Sequence, residues 1–146
     1  MQDENRLIAQ SLSYRLATAS RFLINRLNRN FKENDLSITY EQFRIMIRLW
    51  KEDGLTQGQI AALTGKDEPS VSRLINNMIK RNLIKRLPHP EDRRTNLIFL
   101  TEEGKNIQHE LYVQYRKTTE EALQGVSASE LDTCLKVLDT VTKNLA

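Results

Sequence analysis

One cysteine, Cys134, is all the thiol that the 146 residues contain, which excludes an internal disulfide framework and fits a reducing compartment. Five glycines and three prolines leave no flexible linker, so a single unit spanning residues 1–146 is expected. No apolar run exceeds four residues, as in Leu97 to Leu100, whereas a membrane-spanning helix needs roughly 20. A cytoplasmic protein with no membrane partner is expected. The only histidines, His89 and His109, have no cysteine or second histidine at zinc-ligand spacing. Phosphate-loop, nucleophile-elbow and His-Glu-x-x-His patterns are missing too. No enzymatic activity, metal or cofactor is therefore anticipated.

Charge is scarce in sum but uneven along the chain. The formal net charge is +3, yet residues 56–101 hold 8 basic and 4 acidic groups while residues 102–146 hold 5 and 8. A middle stretch of +4 has the electrostatic footprint of a phosphate-facing surface, and it also suits an ordinary solvated face.

What the middle stretch contains is more specific. Thr56 with Gln59 three residues on is a capping box for a short helix, and Gly65 stands where a left-handed helix end costs little. Asp67 caps a second helix with Pro69 in its first turn. Val71, Leu74, Ile75, Met78 and Ile79 form its apolar stripe. The opposite face carries Ser70, Ser72, Arg73, Asn76, Asn77 and Lys80, hydrogen-bonding side chains without a carboxylate, which suit base edges and phosphates. Asn82 tolerates the left-handed conformation and ends the helix. Leu83 to Leu87 and Asn96 to Phe99 read as a hairpin with Glu91-Asp92-Arg93-Arg94 at its tip. A helix-turn-helix followed by an arginine-tipped hairpin, or wing, is the expected arrangement, the helix for a major groove and the wing for a minor one.

The succession Gln59-Ile-Ala, Val71-Ser-Arg-Leu-Ile, Leu83-Ile-Lys-Arg86, Asp92-Arg-Arg94 and Leu100-Thr-x-x-Gly104 resembles the MarR family of bacterial winged-helix regulators. The resemblance spans about Ser37 to Gly104. Its most specific part is Asp-x-Arg followed at fixed distance by Leu-Thr-x-x-Gly. Asn82 departs from it, standing where the family usually has glycine. The resemblance implies that Ser70, Ser72, Arg73 and Asn76 face the major groove. It also implies that Arg93 and Arg94 contact DNA, Arg94 in the minor groove, with Asp92 orienting Arg94 by a salt bridge. Thr56, Gln57 and Lys66 are candidate phosphate contacts. The peroxide-sensing branch of the family uses a cysteine in its first helix, and this chain has none there.

Flanking this unit are helices with more apolar surface than they can bury alone. Residues 5–30 read as one long helix, and Tyr40 to Lys51, capped by Thr39 and Gln42, as a helix apolar on nearly all sides. After the wing, Thr101 caps a long helix running towards Leu123. Ser127 with Glu130 then opens a last one carrying Leu131, Leu135, Leu138, Val141 and Leu145.

The expected fold class is mainly α with a small β-hairpin wing. A winged helix-turn-helix lobe over 37–101 would join a helical dimerisation lobe built from 5–33 and 102–146. The expected function is a homodimeric transcriptional regulator, more a repressor than an activator, on a pseudo-palindromic double-stranded operator. The resemblance further implies a small aromatic-acid effector, for which Tyr14, Phe22, Trp50 and Tyr112 are the candidate aromatics. The rival reading is a winged-helix module for protein association without an operator, whose wing and exposed helix face would need no cations.

Overall fold

The computed structural model describes residues 1–146, with the side chain of Gln2 left aside. Its elements are α1 (Gln2–Ala9), α2 (Leu12–Glu33), α3 (Tyr40–Lys51), β1 (Leu55–Thr56), α4 (Gln57–Thr64), α5 (Glu68–Lys80), β2 (Ile84–Pro88), β3 (Asn96–Leu100), α6 (Glu102–Asn106), α7 (Gln108–Ala122) and α8 (Ala128–Leu145). The fold is mostly helical, with one antiparallel sheet of order β1-β3-β2.

Local chemistry places most helix starts. Thr39 with Gln42, Thr56 with Gln59 and Ser127 with Glu130 each form the full reciprocal box. In the second, Gln59 N donates to Thr56 Oγ1 at 3.1 Å and Thr56 N to Gln59 Oε1 at 2.8 Å. Asn82 has φ 57°, the left-handed conformation that stops α5 and turns the chain into the wing.

Three expectations are corrected. Residues 5–30 are not one helix: the chain breaks at Gln10 and Ser11, and α2 runs on to Glu33. Ser11 caps the second piece, its Oγ accepting from Tyr14 N at 3.4 Å, a local bond that competes with helix continuation. The helix after Thr101 is likewise divided, with Ile107 between α6 and α7. The Trp50 indole donates to the Gly104 carbonyl at 3.0 Å where the ladder is interrupted. The sheet has a third strand, β1, pairing Leu55 with Ile98 and Thr56 with Leu97. The wing strands themselves lie within one residue of expectation, Ile84–Pro88 and Asn96–Leu100.

The core lies under α3 and α5. Phe43, Ile45, Met46 and Leu49 are buried on α3, and Val71, Ile75 and Met78 on α5. Burying one such side chain contributes about 1.5–3 kcal/mol, so the orientation of α5 about its own axis is strongly fixed. Gly104 meets the wing base without room for a side chain: a Cβ there would lie 2.0 Å from the Leu83 carbonyl oxygen.

The ends of the chain are packed differently. No residue of α8 is buried. Leu7, Ile8, Leu12, Leu135 and Val137 are all at least half exposed.

Candidate nucleic-acid interface

With its apolar stripe locked inward, α5 presents Arg73, Asn76 and Lys80 outward, three and four residues apart. Ser70 and Ser72 lie half-buried at the edge of that face. Ser70 is committed to the helix start: its amide donates to Asp67 Oδ1 at 2.8 Å and its hydroxyl to Oδ2 at 2.9 Å. These two bonds hold the Asp67 carboxyl below the usual carboxylate range.

Thr56 and Gln57 sit together at the start of α4, both half-buried, with Thr56 Oγ1 occupied as the cap acceptor. The first backbone N–H groups of a helix favour an anion there. Lys66 is placed differently from the other cations. Its Nζ lies 2.8 Å from Glu41 Oε2, and Arg44 Nη1 lies 3.8 Å from the same oxygen. Lys66 therefore neutralises α3 before it can neutralise a phosphate. Arg44 and Arg48 also donate to the Thr64 and Leu63 carbonyls at 2.7 and 3.1 Å, tying the end of α4 to α3.

At the wing tip Arg93 and Arg94 are exposed. The expected Asp92–Arg94 salt bridge is not formed. Instead Asp92 Oδ1 accepts from the Arg94 backbone amide at 3.0 Å and Oδ2 from Thr95 Oγ1 at 3.0 Å. An aspartate bonds its own backbone two residues on with little loss of chain freedom, so the turn wins over the ion pair. The Arg94 amide first, then the Thr95 hydroxyl, lowers the Asp92 pKa. Asp92 thus shapes the turn that carries Arg94 and leaves the guanidinium free.

Two cations that the sequence reading left unassigned belong to this surface. Arg86, on β2, donates from Nη2 to Asn76 Oδ1 at 2.9 Å. Arg81, at the end of α5, donates to the Ser37 carbonyl and ties the helix to the α2–α3 connection. Of the basic residues between Thr56 and Thr101, only Lys66 enters an ion pair among the described residues; Arg73, Lys80, Lys85, Arg86, Arg93 and Arg94 do not. Arg81 has no carboxylate partner either but is tied to Ser37, and the other six cations, on one contiguous unit, are available to phosphates.

The aromatic candidates do not converge. Trp50 and Tyr112 meet at 5.6 Å, both against Phe43 at 6.0 and 6.1 Å. Phe22 is 65% exposed on α2, with the Arg21 guanidinium 5.3 Å from its ring centroid, and Tyr14 is 51% exposed. Phe22 borders an open cleft of about 720 Å³ between α2 and α7, with Leu23, Arg26, Arg29 and Thr118. A more enclosed space of about 100 Å³ lies between Tyr40, Tyr115, Leu27 and Thr118.

Comparison with known proteins agrees with this geometry. Residues 38–95 match the MarR family. An uncharacterised HTH-type transcriptional regulator of Bacillus subtilis, YhbI, is 30% identical over 106 residues, covering 73% of this chain and 69% of that protein. The transcriptional repressor CouR, solved bound to a 23-mer DNA duplex, superposes with TM-score 0.85 at 20% identity, covering 92% of this chain and 94% of that one. BpsR of Bordetella bronchiseptica, solved in a study of how 6-hydroxynicotinic acid regulates its DNA binding, superposes with TM-score 0.83 at 19% identity, covering 92% and 94%. The winged-helix unit, the outward cations of α5 and the wing, and these likenesses make one assignment: the chain belongs to the MarR family of DNA-binding transcriptional regulators.

Proposed function

We propose that the protein is a homodimeric repressor of a pseudo-palindromic operator, with α5 in the major groove and the wing in the flanking minor groove. The observation that carries this is the set of unpaired cations on α5 and the wing, behind which Val71, Ile75 and Met78 fix the helix in the core. Arg73 and Asn76 are the base-reading groups, Ser72 flanks them, and Ser70 offers its oxygen as an acceptor. Thr56 and Gln57 take a phosphate on the start of α4, and Lys66 joins them on exchanging Glu41 for phosphate. Dimerisation is supported by the exposed leucines of α1 and α8, which a second copy would cover.

Arg73→Ala should weaken the operator complex far more than a random duplex, because a good base contact contributes about 1–3 kcal/mol of discrimination. The check is titration of both duplexes at one salt concentration; equal loss on the two would make Arg73 a phosphate contact.

At the wing, Arg94→Ala should weaken operator binding, since a narrow minor groove attracts an inserted arginine. Asp92→Ala should weaken it too, by releasing the Arg94 amide and the Thr95 hydroxyl. Charge alone gives the opposite sign for Asp92, because a carboxylate leaves the vicinity of phosphates. Tighter operator binding by Asp92→Ala at fixed salt would remove the turn-holding role.

Release of DNA by an aromatic acid is supported by BpsR, whose DNA binding is regulated by 6-hydroxynicotinic acid. In the cleft beside Phe22, Arg26 Nε lies 3.2 Å from Glu121 Oε2 and Arg29 Nε 3.8 Å from Glu33 Oε1, so an effector carboxylate would have to replace one of these partners, whereas Trp50 and Tyr112 are engaged with Phe43.

A further inference from the structure

A lysine in the turn between two helices of a DNA-binding unit is ordinarily free to meet a phosphate. Lys66 is not. It follows Gly65, whose left-handed conformation ends α4, and its side chain reaches back to α3. Glu41 waits there in the first turn of α3, where the helix dipole favours a carboxylate.

Lys66 Nζ lies 2.8 Å from Glu41 Oε2. Arg44 Nη1 stands 3.8 Å from the same oxygen, anchored at that distance by the bond from its Nη2 to the Thr64 carbonyl. The Lys66 side chain is 25% exposed, the lowest value of any ion-paired side chain among the described residues, so salt screens this pair less than the others. Glu41 Oε2 is closed off from water yet accepts no well-aligned hydrogen bond, so the contact is one of charge. A phosphate has charge and several acceptor oxygens, and it competes for the same ammonium.

The place of that competition is open to DNA. Glu41 and Lys66 border a shallow depression of about 290 Å³ whose other wall is α5, with Ser70, Arg73 and Asn77. Arg73 and Asn77 are exposed. A backbone laid along α5 therefore brings a phosphate to Lys66, and with it to the negative charge of Glu41.

We propose that Glu41 limits the protein's affinity for DNA by holding Lys66, so that docking must separate an ion pair before the lysine neutralises a phosphate. Glu41 is a positioning residue in this scheme, acting on DNA through Lys66. Because the cost falls on every sequence alike, Glu41 weakens specific and non-specific binding together, unlike a base-reading residue. The inference rests on the reading of Lys66 as a phosphate contact.

The test is a double-mutant cycle on Glu41 and Lys66 in the full-length protein. Each protein is titrated, at one salt concentration, against a random-sequence duplex and against one selected from a random pool. Glu41→Gln keeps the shape and removes the charge. It should tighten binding to both duplexes about two- to fivefold, the strength of a partly exposed ion pair. Lys66→Met should weaken binding to both. In the Lys66→Met background, Glu41→Gln should return less than half of its gain in log affinity, since no lysine is left to release. Thermal melting of each variant checks that folded proteins are being compared. An equal gain in both backgrounds would show a carboxylate that repels phosphates through solvent, and would overturn the proposal. Unchanged or weaker binding by Glu41→Gln would overturn it as well. If Lys66→Met binds both duplexes as the wild type does, Lys66 meets no phosphate, and the proposal falls while α5 and the wing keep their roles. Were the wild type itself to bind neither duplex, the DNA-docking reading would fall along with it.

Discussion

Gly104→Ala should lower the melting temperature by roughly 6–12 °C, taking about 3 kcal/mol for overpacking and about 2–4 °C per kcal/mol for a chain of this size. The added Cβ would stand 2.0 Å from Leu83 O and 3.3 Å from Leu100 Cδ2. The carbonyl cannot swing aside, because Leu83 O accepts from Thr101 N at 3.1 Å. Nor can Gly104 retreat easily: its amide donates to Thr101 Oγ1 at 3.0 Å, and its own carbonyl accepts from the Trp50 indole. Thr101 in turn donates to the Asn82 carbonyl at 2.6 Å, the residue that turns α5 into the wing. The substitution should thus also weaken DNA binding, through a wing base displaced relative to α5. Circular dichroism melting checks the first effect, and an unchanged midpoint would mean that the wing base yields freely.

Leu135→Asp should cost the operator complex about 100- to 10,000-fold in affinity, the range by which two linked sites exceed one. Leu135 is 51% exposed in the single chain, so the protomer loses little by the exchange. In a dimer that covers α8, the carboxylate would be desolvated without a partner, and association would fail. Sedimentation should report a monomer that melts near the wild-type temperature and no longer distinguishes a two-half-site operator from one half-site. A dimer of undiminished affinity would remove α8 from the interface.

Features carried by neighbours in sequence were legible before any coordinates. Each capping box needs only two residues three apart, and the α5 stripe needs only a period. The left-handed Asn82 follows from its side chain and its place between helix and strand. The missed features depend on partners brought from afar. β1 is two residues long and exists only because Leu97 and Ile98 lie beside it. Lys66 looked like a free phosphate ligand until α3 supplied Glu41. Arg86 was visible in the Leu83-Ile-Lys-Arg86 succession, but its bond to Asn76 requires the hairpin to fold back over α5. Asp92 fell between the two cases. Its partner was correctly Arg94, yet short-range geometry favoured the backbone amide over the guanidinium.

Trp50 is the chain's single tryptophan, and its indole joins α3 to the Gly104 carbonyl within α6. The protein's tryptophan emission therefore comes from one ring at the seam between the DNA-binding unit and the terminal helices. With Tyr112 at 5.6 Å, light absorbed by that phenol is passed to the same indole. A movement that separates α3 from α6 would break the Gly104 bond, wet the ring and shift its emission to longer wavelength. The molecule carries a built-in, label-free optical gauge of that joint, usable in stopped flow against operator or candidate inducers.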